Sequence, residues 1–562
     1  MIIRIWLLAS LLVQFSCGAN TQSVSTSVPI TTSNQSIIRY DSIHHPVVAR
    51  HGMVVTQNEL ASRVGQTILE QGGNAVDATV AIGFALAVTL PRAGNLGGSG
   101  FMLVHMAQPK ETIALDFRSI APAAARLEDF LDEAGDIRWD DLTFGARAPA
   151  VPGTVAGLYH AWQKFGSLPW SLLVAPAINL AKEGIVVSED LAYAFAEAMP
   201  IISQYPSSII AYAKDADTSY LAGEILHQPD LAWSLERISE QGANAFYRGD
   251  IAEKIIDFMG RSGGYISSQD LQLYQVKERA PIATNYRQHK IVTMPPSSVG
   301  GLALLQMLNV LKQFDLSSLD PGSARSLHLL AEVMKRVNAN RRQGIGDTDF
   351  VSVPIEGILS EELAKEIAAS IDLGKASSVS VINPIDANPY ESRETTHYSV
   401  MDDFGNAVST SYTLGYSFGS GLVVPGTGIL LDNQMRNFSH RELGHANEMT
   451  PGKRPVSTMT PTLVFDVNDD IKIVTGTPGG SRIHNVIMQL LVNLIDYQMN
   501  IAEATHTPRI YQGWRTSELA VERGINADTS SLLRLMGHDV QLQQTMGSTQ
   551  SIVRREGRLY GS

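Results

Sequence analysis

The stretch ETTHYSV, residues 394–400, decides how the 562-residue chain folds. It follows a polar, proline-containing segment and opens a run that predicts a strand over residues 397–401. A second strand is predicted over residues 407–413, because the intervening DDFGN suits a tight turn. Near residue 375 the pattern thus changes from mainly helical segments to short strands paired in hairpins.

The same two patterns recur along the rest of the chain. Further hairpin strands are predicted at residues 101–104, 113–115, 463–467 and 471–475. Helices are predicted over residues 57–90 with a break at Gly72-Gly73, at 302–311, at 326–337 and after Gly479-Gly480, and residues 150–370 read as helical overall. Paired strands covered by helices fit stacked β-sheets between helical layers.

Composition restricts the class of function. Hydrophobic residues make up 44% and charged residues 18% of the chain, which is typical of a globular protein. The net charge of −13 argues against binding to nucleic acid, which requires clustered Lys and Arg, and against anionic membrane surfaces. Length alone predicts two to four domains.

The N-terminus has the pattern of an export signal, which predicts a periplasmic or secreted protein. Arg4 is followed by the apolar run 5–13 and by the small residues CGA at 17–19, so we expect a signal peptide over residues 1–19. Residues 20–38 are rich in Ser and Thr and predict a tether. Cys17, the single cysteine, is an alternative site for a lipid anchor, although QF at 14–15 matches a lipidation motif poorly.

Thr395 is the candidate nucleophile. A threonine hydroxyl needs a base beside it, and a threonine at a new N-terminus carries one, because its α-amine has a reference pKa near 7.7. Cleavage between Glu394 and Thr395 would create that amine. The alternative is that Thr395 and Thr396 are ordinary β-branched strand residues.

Five further motifs accompany this stretch: LDFR (115–118), SYTL (411–414), NQM (433–435), RPVSTM (454–459) and TGTPGGSR (475–482). Together with ETTHYSV they resemble the γ-glutamyltranspeptidase (glutathione hydrolase) family of N-terminal-nucleophile hydrolases. The resemblance extends from about Val55 to the C-terminus.

The resemblance implies an α+β fold, a four-layer αββα sandwich formed jointly by a large subunit (39–394) and a small subunit (395–562) cut from one precursor. It implies γ-glutamyl substrates such as glutathione, with water, an amino acid or a dipeptide as acceptor, and neither a cofactor nor a metal. The implied roles are nucleophile for Thr395, support of its hydroxyl for Thr413, oxyanion hole for Gly479 and Gly480, α-carboxylate binding for Arg118, Ser457 and Thr458, and α-ammonium binding for Gln434 and the position of Asn437.

Elementary chemistry agrees with these roles. The guanidinium of Arg118 offers a rigid fork that matches a carboxylate. Adjacent glycines at a helix start allow backbone N–H groups to approach a developing oxyanion, and one such donor contributes roughly 3–4 kcal/mol in comparable sites.

The chain departs from the family pattern in four places. Gly415 stands where the family has Asn, and Asn437 stands where it has the acid that pairs with the substrate ammonium. The loop 437–453 is shorter than the family's lid, and the sequence stops at residue 562, before an expected Asp-Pro-Arg tail. We therefore expect weaker selection for γ-glutamyl groups and more hydrolysis than transfer, and a glutaryl or cephalosporin-type amide acylase remains an alternative.

Three other interpretations are open from sequence. GYSFG at 415–419 fits the nucleophile elbow of a serine hydrolase, but the residues after it form a poor helix start. His44-His45 is the nearest approach to a metal pair, and a solvated loop is the simpler expectation there. An uncleaved, inactive binding protein of the same fold is the third, and a single full-length band on a denaturing gel would identify it.

Overall fold

The two sides of residue 394 contribute strands to the same sheets. The computed structural model describes residues 42–340, 344–378, 395–440, 444–514 and 517–562. The predicted signal peptide, tether and Cys17, the segment before the cleavage site and Glu394 lie outside the described residues. The residues from His44 onward form one compact unit.

Twenty strands are found in the described residues. They are β1 Val47–Ala49, β2 Gly52–Thr56, β3 Ser99–Met106, β4 Glu111–Phe117, β5 Ile185–Val186, β6 Ile225–Leu226, β7 Lys277–Arg279, β8 Ile282–Tyr286, β9 His289–Thr293, β10 Thr396–Asp402, β11 Ala407–Thr413, β12 Val423–Val424, β13 Ile429–Leu430, β14 Thr462–Phe465, β15 Ile471–Thr475, β16 Ile510–Gln512, β17 Glu518–Val521, β18 Asp539–Leu542, β19 Ile552–Arg555 and β20 Arg558–Gly561.

The same parts of the chain form eighteen α-helices. They are α1 Glu59–Glu70, α2 Ala75–Thr89, α3 Trp139–Thr143, α4 Thr154–Phe165, α5 Trp170–Glu183, α6 Glu189–Ile202, α7 Pro206–Tyr212, α8 Pro229–Gln241, α9 Asn244–Tyr247, α10 Asp250–Ser262, α11 Ser268–Leu273, α12 Val299–Leu311, α13 Ala324–Asn340, α14 Ile355–Ile358, α15 Glu361–Ala369, α16 Ile483–Ile495, α17 Ile501–His506 and α18 Ala527–Leu535.

Two antiparallel sheets form the centre. One has six strands in the order β2-β10-β11-β3-β4-β7, and the other has seven in the order β1-β20-β19-β15-β14-β9-β8. The β10–β11 hairpin therefore lies between strands from the first part of the chain, with Tyr398 paired to Thr56 on one side and Thr413 paired to Ser99 on the other. Neither part of the chain forms either central sheet alone.

Helices cover the outer face of each sheet. The six-stranded sheet contacts α2 and α4, and the seven-stranded sheet contacts α12, while β10 and β11 pack against β15 between the sheets. This is the four-layer αββα arrangement of an N-terminal-nucleophile hydrolase. Helix α2 is apolar on every side and every residue in it is buried, as expected for a helix inside a layered core.

Helix α2 is also held across the two parts of the chain. Asn74 caps its N-terminus, with Asp77 completing a capping box. Asp402, at the end of β10, accepts a further hydrogen bond from the backbone N–H of Ala75 at 2.9 Å. A carboxylate from the C-terminal part thus stabilises the start of a helix from the N-terminal part.

Most predicted elements are confirmed, including both hairpins after residue 395 and the helices after Gly72-Gly73 and Gly479-Gly480. The helical interpretation of residues 150–370 was wrong for β7, β8 and β9, which continue the central sheets, and for β5 and β6, which form a small sheet of their own. These strands are short, and the sequences of β7 and β8 are largely polar because they lie at sheet edges, so periodicity does not reveal them. Among the described residues, no helix has the length and apolar character needed to cross a membrane.

Candidate active site

Thr395 lies immediately before β10, an inner strand of the six-stranded sheet, and is 4% exposed. Its neighbour Thr396 pairs with Tyr412, so the antiparallel register brings Thr395 level with Thr413. The Thr413 hydroxyl accepts a hydrogen bond from the backbone N–H of Gly415 at 2.9 Å. The two predicted threonines are therefore neighbours on adjacent strands.

His397 is buried two residues after the candidate nucleophile. Burial lowers the pKa of this histidine to about 3, so its ring is neutral at physiological pH. Its Nδ1 lies 2.8 Å from the Ser411 hydroxyl and its Nε2 lies 3.1 Å from the Ser399 hydroxyl. A Cβ added at Gly476 would stand 2.3 Å from the ring, so the next segment lies directly against it. Through these contacts with Ser411, Ser399 and Gly476, His397 holds the start of β10 in place.

Gly479 and Gly480 both adopt a backbone conformation that favours glycine. Their φ angles are +132° and +57°, in the region that favours glycine. A Cβ at Gly479 would lie 2.7 Å from the carbonyl oxygen of Met546. Gly480 opens a 3₁₀ turn that leads into α16, so the pair lies at a helix start as predicted.

The hydroxyl pair at 457–458 is connected to these glycines. The Thr458 hydroxyl donates to the carbonyl oxygen of Gly480 at 2.8 Å. The Ser457 backbone N–H donates to the carbonyl of Ser297, in the loop between β9 and α12. The predicted carboxylate-binding hydroxyls and the predicted oxyanion hole therefore form one connected unit.

Arg118 is fully buried, in contrast to a surface ion pair. Its Nη1 donates to the Ser99 hydroxyl at 3.1 Å, and its Nη2 donates to Gln434 Oε1 at 2.7 Å and to the Pro455 carbonyl at 3.4 Å. Burial lowers the pKa of Arg118 to about 10, which still leaves it charged at neutral pH. Its Nε makes no hydrogen bond within the described residues.

A network of charged side chains supports Arg118. Its backbone N–H donates to Asp116 at 3.1 Å, and Asp116 also receives Arg279 Nε at 2.9 Å and lies 3.4 Å from Arg454 Nε. Arg279 extends to Asp347 at 3.1 Å. Its remaining nitrogen, Nη1, lies 3.0 Å from the Asp349 carboxylate. Burial raises the pKa of Asp347, whereas the buried carboxylates around Arg279 raise the pKa of that arginine despite its own burial.

Neutral amides lie directly beside Arg118. Gln434 Oε1 accepts from Arg118 and from Asn437 Nδ2, the latter at 2.6 Å. These two donors fix the orientation of the Gln434 amide, because its oxygen must face both of them. Gln434 Nε2 is therefore a buried donor without a partner among the described residues.

Gly415 has no room for the asparagine that the family pattern places there. Its φ is +98°, and an added Cβ would lie 2.0 Å from Asn433 Oδ1 and 3.3 Å from Gln434 Nε2. Asn433 is fixed in place, since it accepts from the Tyr416 N–H at 3.1 Å and donates to the carbonyl of Gly419 at 3.0 Å. Glycine at position 415 therefore fits the close packing against Asn433, whereas a larger side chain does not.

Asp432 is a carboxylate that sequence reasoning missed. It accepts from the Ser119 hydroxyl and from the backbone N–H groups of Ala150, at 2.9 Å, and Gln434, at 3.3 Å. Burial raises the pKa of Asp432 to about 7. Because these partners already occupy both of its oxygens, it acts on the pocket through the position of Gln434.

The structure also resolves two alternatives. GYSFG follows β11 and leads through turns into β12, so the strand-to-helix context of a nucleophile elbow is missing there. His44 stacks on His506 with ring centroids 4.6 Å apart, which gives it a packing role that sequence did not predict.

Elsewhere in the described part of the chain, one buried group has ligand atoms within 4.8 Å of one another: His328, Glu332 and His538. The Glu332 carboxylate is engaged by Lys335 at 2.6 Å and by Arg336 at 2.5 Å. These two cations already overcompensate its charge, which disfavours a divalent metal ion at this place.

The structure joins most of the predicted site residues by direct contacts or through chain neighbours: Arg118, Gln434, Asn437, Ser457, Thr458, Gly479 and Gly480. Thr395 lies beside Thr413. The supporting network and Asp432 were missed, although Asp116 and Arg454 stand inside motifs that carry the resemblance. The sequence gives no sign that these charged residues are buried.

Comparisons with known proteins show the family of the chain. A family model described as gamma-glutamyltranspeptidase matches residues 61–562. The glutathione hydrolase proenzyme of Escherichia coli (strain K12) is 44% identical over 93% of this chain and 91% of its own. The acylase ACY 1 proenzyme of Pseudomonas sp. (strain SE83) is 35% identical over 88% of both. The crystal structure of cephalosporin acylase from Bacillus halodurans superposes with a TM-score of 0.84 at 29% identity, covering 94% of this chain and 97% of that chain. The chain belongs to the γ-glutamyltranspeptidase family.

Proposed function

We propose that the chain is a self-processing γ-glutamyl hydrolase and transpeptidase that acts on glutathione and other γ-glutamyl compounds. Family membership over residues 61–562 supports the reaction class. The observation that carries the residue assignment is the position of Thr395, which lies immediately before the inner strand β10 and beside Thr413. The buried Arg118 and the Gly479-Gly480 turn, in motifs shared with the family, support the binding and oxyanion roles.

Self-cleavage produces the active form. The Thr395 hydroxyl attacks the carbonyl carbon of Glu394, the C–N bond breaks, and the acyl group moves from nitrogen to oxygen as an ester. Water then opens the ester, which releases a Glu394 carboxylate and leaves Thr395 with a free α-amine and hydroxyl. The products are a large subunit, residues 39–394, and a small subunit, residues 395–562, which stay together as a heterodimer.

Turnover uses the same hydroxyl. The α-amine of Thr395 takes the hydroxyl proton as the oxygen attacks the γ-carbonyl of the substrate. Backbone N–H groups at Gly479-Gly480 stabilise the oxyanion, and the protonated amine returns its proton to the leaving amine. Water or an amino group then attacks the acyl-enzyme. An open site admits water readily, so we expect hydrolysis to exceed transfer.

Export completes the proposal. Residues 1–19 act as a signal peptide and residues 20–38 as a tether, which places the enzyme in the periplasm or outside the cell. Cys17 would anchor the protein only if it is lipidated. Mass spectrometry of the purified mature large subunit identifies its first residue and any attached lipid.

A gel and a sequencing run test the proposed processing. The purified protein should give two bands, and the smaller fragment should begin Thr-Thr-His-Tyr, the residues from 395 onward. Thr395→Ala should remain a single band, whereas Thr395→Ser should cleave and keep some activity because a hydroxyl and an α-amine remain. A different first residue, or efficient cleavage of Thr395→Ala, would contradict the assignment, and a single band from the wild type would indicate an inactive relic.

A glutaryl amide acylase is a second candidate, favoured by the donor that Gln434 Nε2 presents. An α-ammonium group is itself a donor and gains nothing from another N–H, whereas a glutaryl group brings no ammonium to that end. Comparing kcat/KM for γ-glutamyl and glutaryl p-nitroanilides decides between them. A ratio strongly in favour of the glutaryl substrate would replace the first proposal.

A further inference from the structure

Five hydrogen bonds join the two ends of the candidate pocket into a closed ring. Arg118 donates to Gln434 Oε1 at 2.7 Å, and Asn437 donates to the same oxygen at 2.6 Å. The ring continues through Asn447, whose Nδ2 donates to the Asn437 carbonyl at 2.7 Å, while its Oδ1 accepts from the Val456 N–H at 3.1 Å. It closes where Arg118 Nη2 meets the carbonyl of Pro455 at 3.4 Å.

Asn447 is the member of this ring that belongs to neither end. It is 5% exposed, and its own carbonyl accepts from the Ser439 N–H at 2.7 Å. Its carboxamide faces an acceptor on one side and a donor on the other. The reverse orientation would point an NH₂ group at the Val456 N–H and an oxygen at the Asn437 carbonyl, so the observed orientation is the only satisfied one.

The two partners of Asn447 lie next to different parts of the pocket. Val456 immediately precedes Ser457, which with Thr458 and Arg118 forms the carboxylate end. Asn437 lies on the turn with Gln434, which forms the amine end. A buried amide that is bonded on both sides restrains the distance between the two segments, because one of its bonds is lost if either segment shifts. It acts together with the direct bond between Arg118 and Gln434.

We infer that Asn447 is a positioning residue that sets the separation of the carboxylate end and the amine end. It acts through Asn437 and Val456 and does not touch the acyl group. This inference rests on the proposed function, since it concerns substrates that span both ends. Substrates held at one end only depend on it less.

The variant Asn447→Asp separates the two bonds. A carboxylate of the same shape still accepts from the Val456 N–H, but it opposes the Asn437 carbonyl in place of donating to it. Loss of one hydrogen bond should raise KM for a γ-glutamyl anilide by about fivefold to tenfold, and KM for a glutaryl anilide by no more than about twofold. We expect kcat to change little, because binding is affected in ground and transition states alike.

The pH dependence distinguishes positioning from general damage. Once protonated, the carboxyl group that this variant carries regains a donor toward the Asn437 carbonyl. The ratio of the variant's KM to that of the wild type should therefore fall towards one as the pH is lowered through the pKa of that carboxyl, which burial would raise. A ratio that stays constant across the pH range would overturn the inference.

Two further variants complete the test. Asn447→Ala removes both bonds without adding charge and should raise KM for the γ-glutamyl anilide by at least about fivefold to tenfold, and KM for the glutaryl anilide by no more than about twofold. Asn526→Asp makes the same chemical change at the exposed N-cap of α18 and should leave all parameters unchanged. If the wild type hydrolyses neither anilide, the proposed function fails. If the wild type is active and the Asn447 variants match it, or if neither of them accumulates in folded form, the positioning role is wrong.

Discussion

The carboxylate end and the amine end of the pocket are built on different principles. The first places a buried arginine on a network of charged residues, in which Asp116 and Asp347 are completely buried. The second consists of the neutral amides of Gln434 and Asn437 beside a glycine. A charge network resists change because removing one member leaves another without a partner, whereas neutral amides can be exchanged at small cost. The family's variety of acyl groups is therefore expected to arise at the amine end.

The largest effect should follow from disrupting the network behind the carboxylate end. Arg279→Ala leaves Asp116 and Asp347 buried without their main partner and should lower the free energy of unfolding by about 3 kcal/mol. Urea denaturation of the Thr395→Ala precursor measures this in a single chain. Arg237→Ala, which removes a more exposed pair with Glu240, should cost less than about 1 kcal/mol. Equal losses in the two variants would show that the network is no more important than a surface pair.

Removing the carboxylate partner itself should come next. Arg118→Ala should raise KM for γ-glutamyl and glutaryl substrates alike, by about tenfold to a hundredfold, since both carry the carboxylate. Arg118→Lys keeps the positive charge but loses the planar pair of donors, so its KM should lie between that of the wild type and that of Arg118→Ala. Steady-state kinetics on glutathione measures the effect. Unchanged KM for Arg118→Ala would show that the carboxylate binds elsewhere.

Restoring the family's residue at 415 should fail. Gly415→Asn puts a Cβ 2.0 Å from Asn433 Oδ1 at a φ of +98°, and we expect a stability loss of about 1–3 kcal/mol with lower activity on both substrates. Gly415→Ala introduces the same Cβ clash without the amide group, so its loss of stability should be similar to that of Gly415→Asn. Thermal melting of the two variants compares them. A gain in γ-glutamyl activity for Gly415→Asn would refute the steric explanation of the amine end.

A change of charge at the amine end should have the smallest and most selective effect. Asn437→Asp gives the substrate ammonium a charged partner but loses the bond to Gln434 Oε1. The ratio of kcat/KM for γ-glutamyl over glutaryl substrates should rise about tenfold, while absolute values rise less. Asn437→Ala should lower both values without that change in ratio. An unchanged ratio, or a shift towards glutaryl, would show that Asn437 does not face the ammonium.

Sequence was sufficient where chemistry is local. Thr395, Thr413 and the pair Gly479-Gly480 lie in short motifs whose residue types predict the local conformation. The strands and the helix predicted beside them are confirmed. The charge network could not be predicted, because Asp116, Arg279, Asp347 and Arg454 are distant in sequence and meet only when both sheets have formed. Its members look like ordinary surface charges until their burial is known.

The same limit applies to Asn447 and Asp432. Asn447 stands in a loop that sequence marks only as short, and its two bonds join segments on either side of that loop. Asp432 adjoins the NQM motif, but the partners that hold it, Ser119 and Ala150, come from the other part of the chain. Contacts of this kind depend on three-dimensional packing and leave no periodic pattern.

The interleaving of strands changes the molecularity of refolding. In the precursor β10 and β11 stand between β2 and β3 on one uninterrupted chain, so folding is a unimolecular event. After cleavage the same sheet contains strands of two polypeptides, and each of them is left with incomplete sheets if they separate. Dilution should not dissociate the native enzyme, but once denatured it must reassemble in a second-order reaction that competes with aggregation of exposed strand edges. Cleavage of a single peptide bond should therefore make refolding dependent on protein concentration, so that the cleaved enzyme recovers from denaturation less efficiently than the precursor.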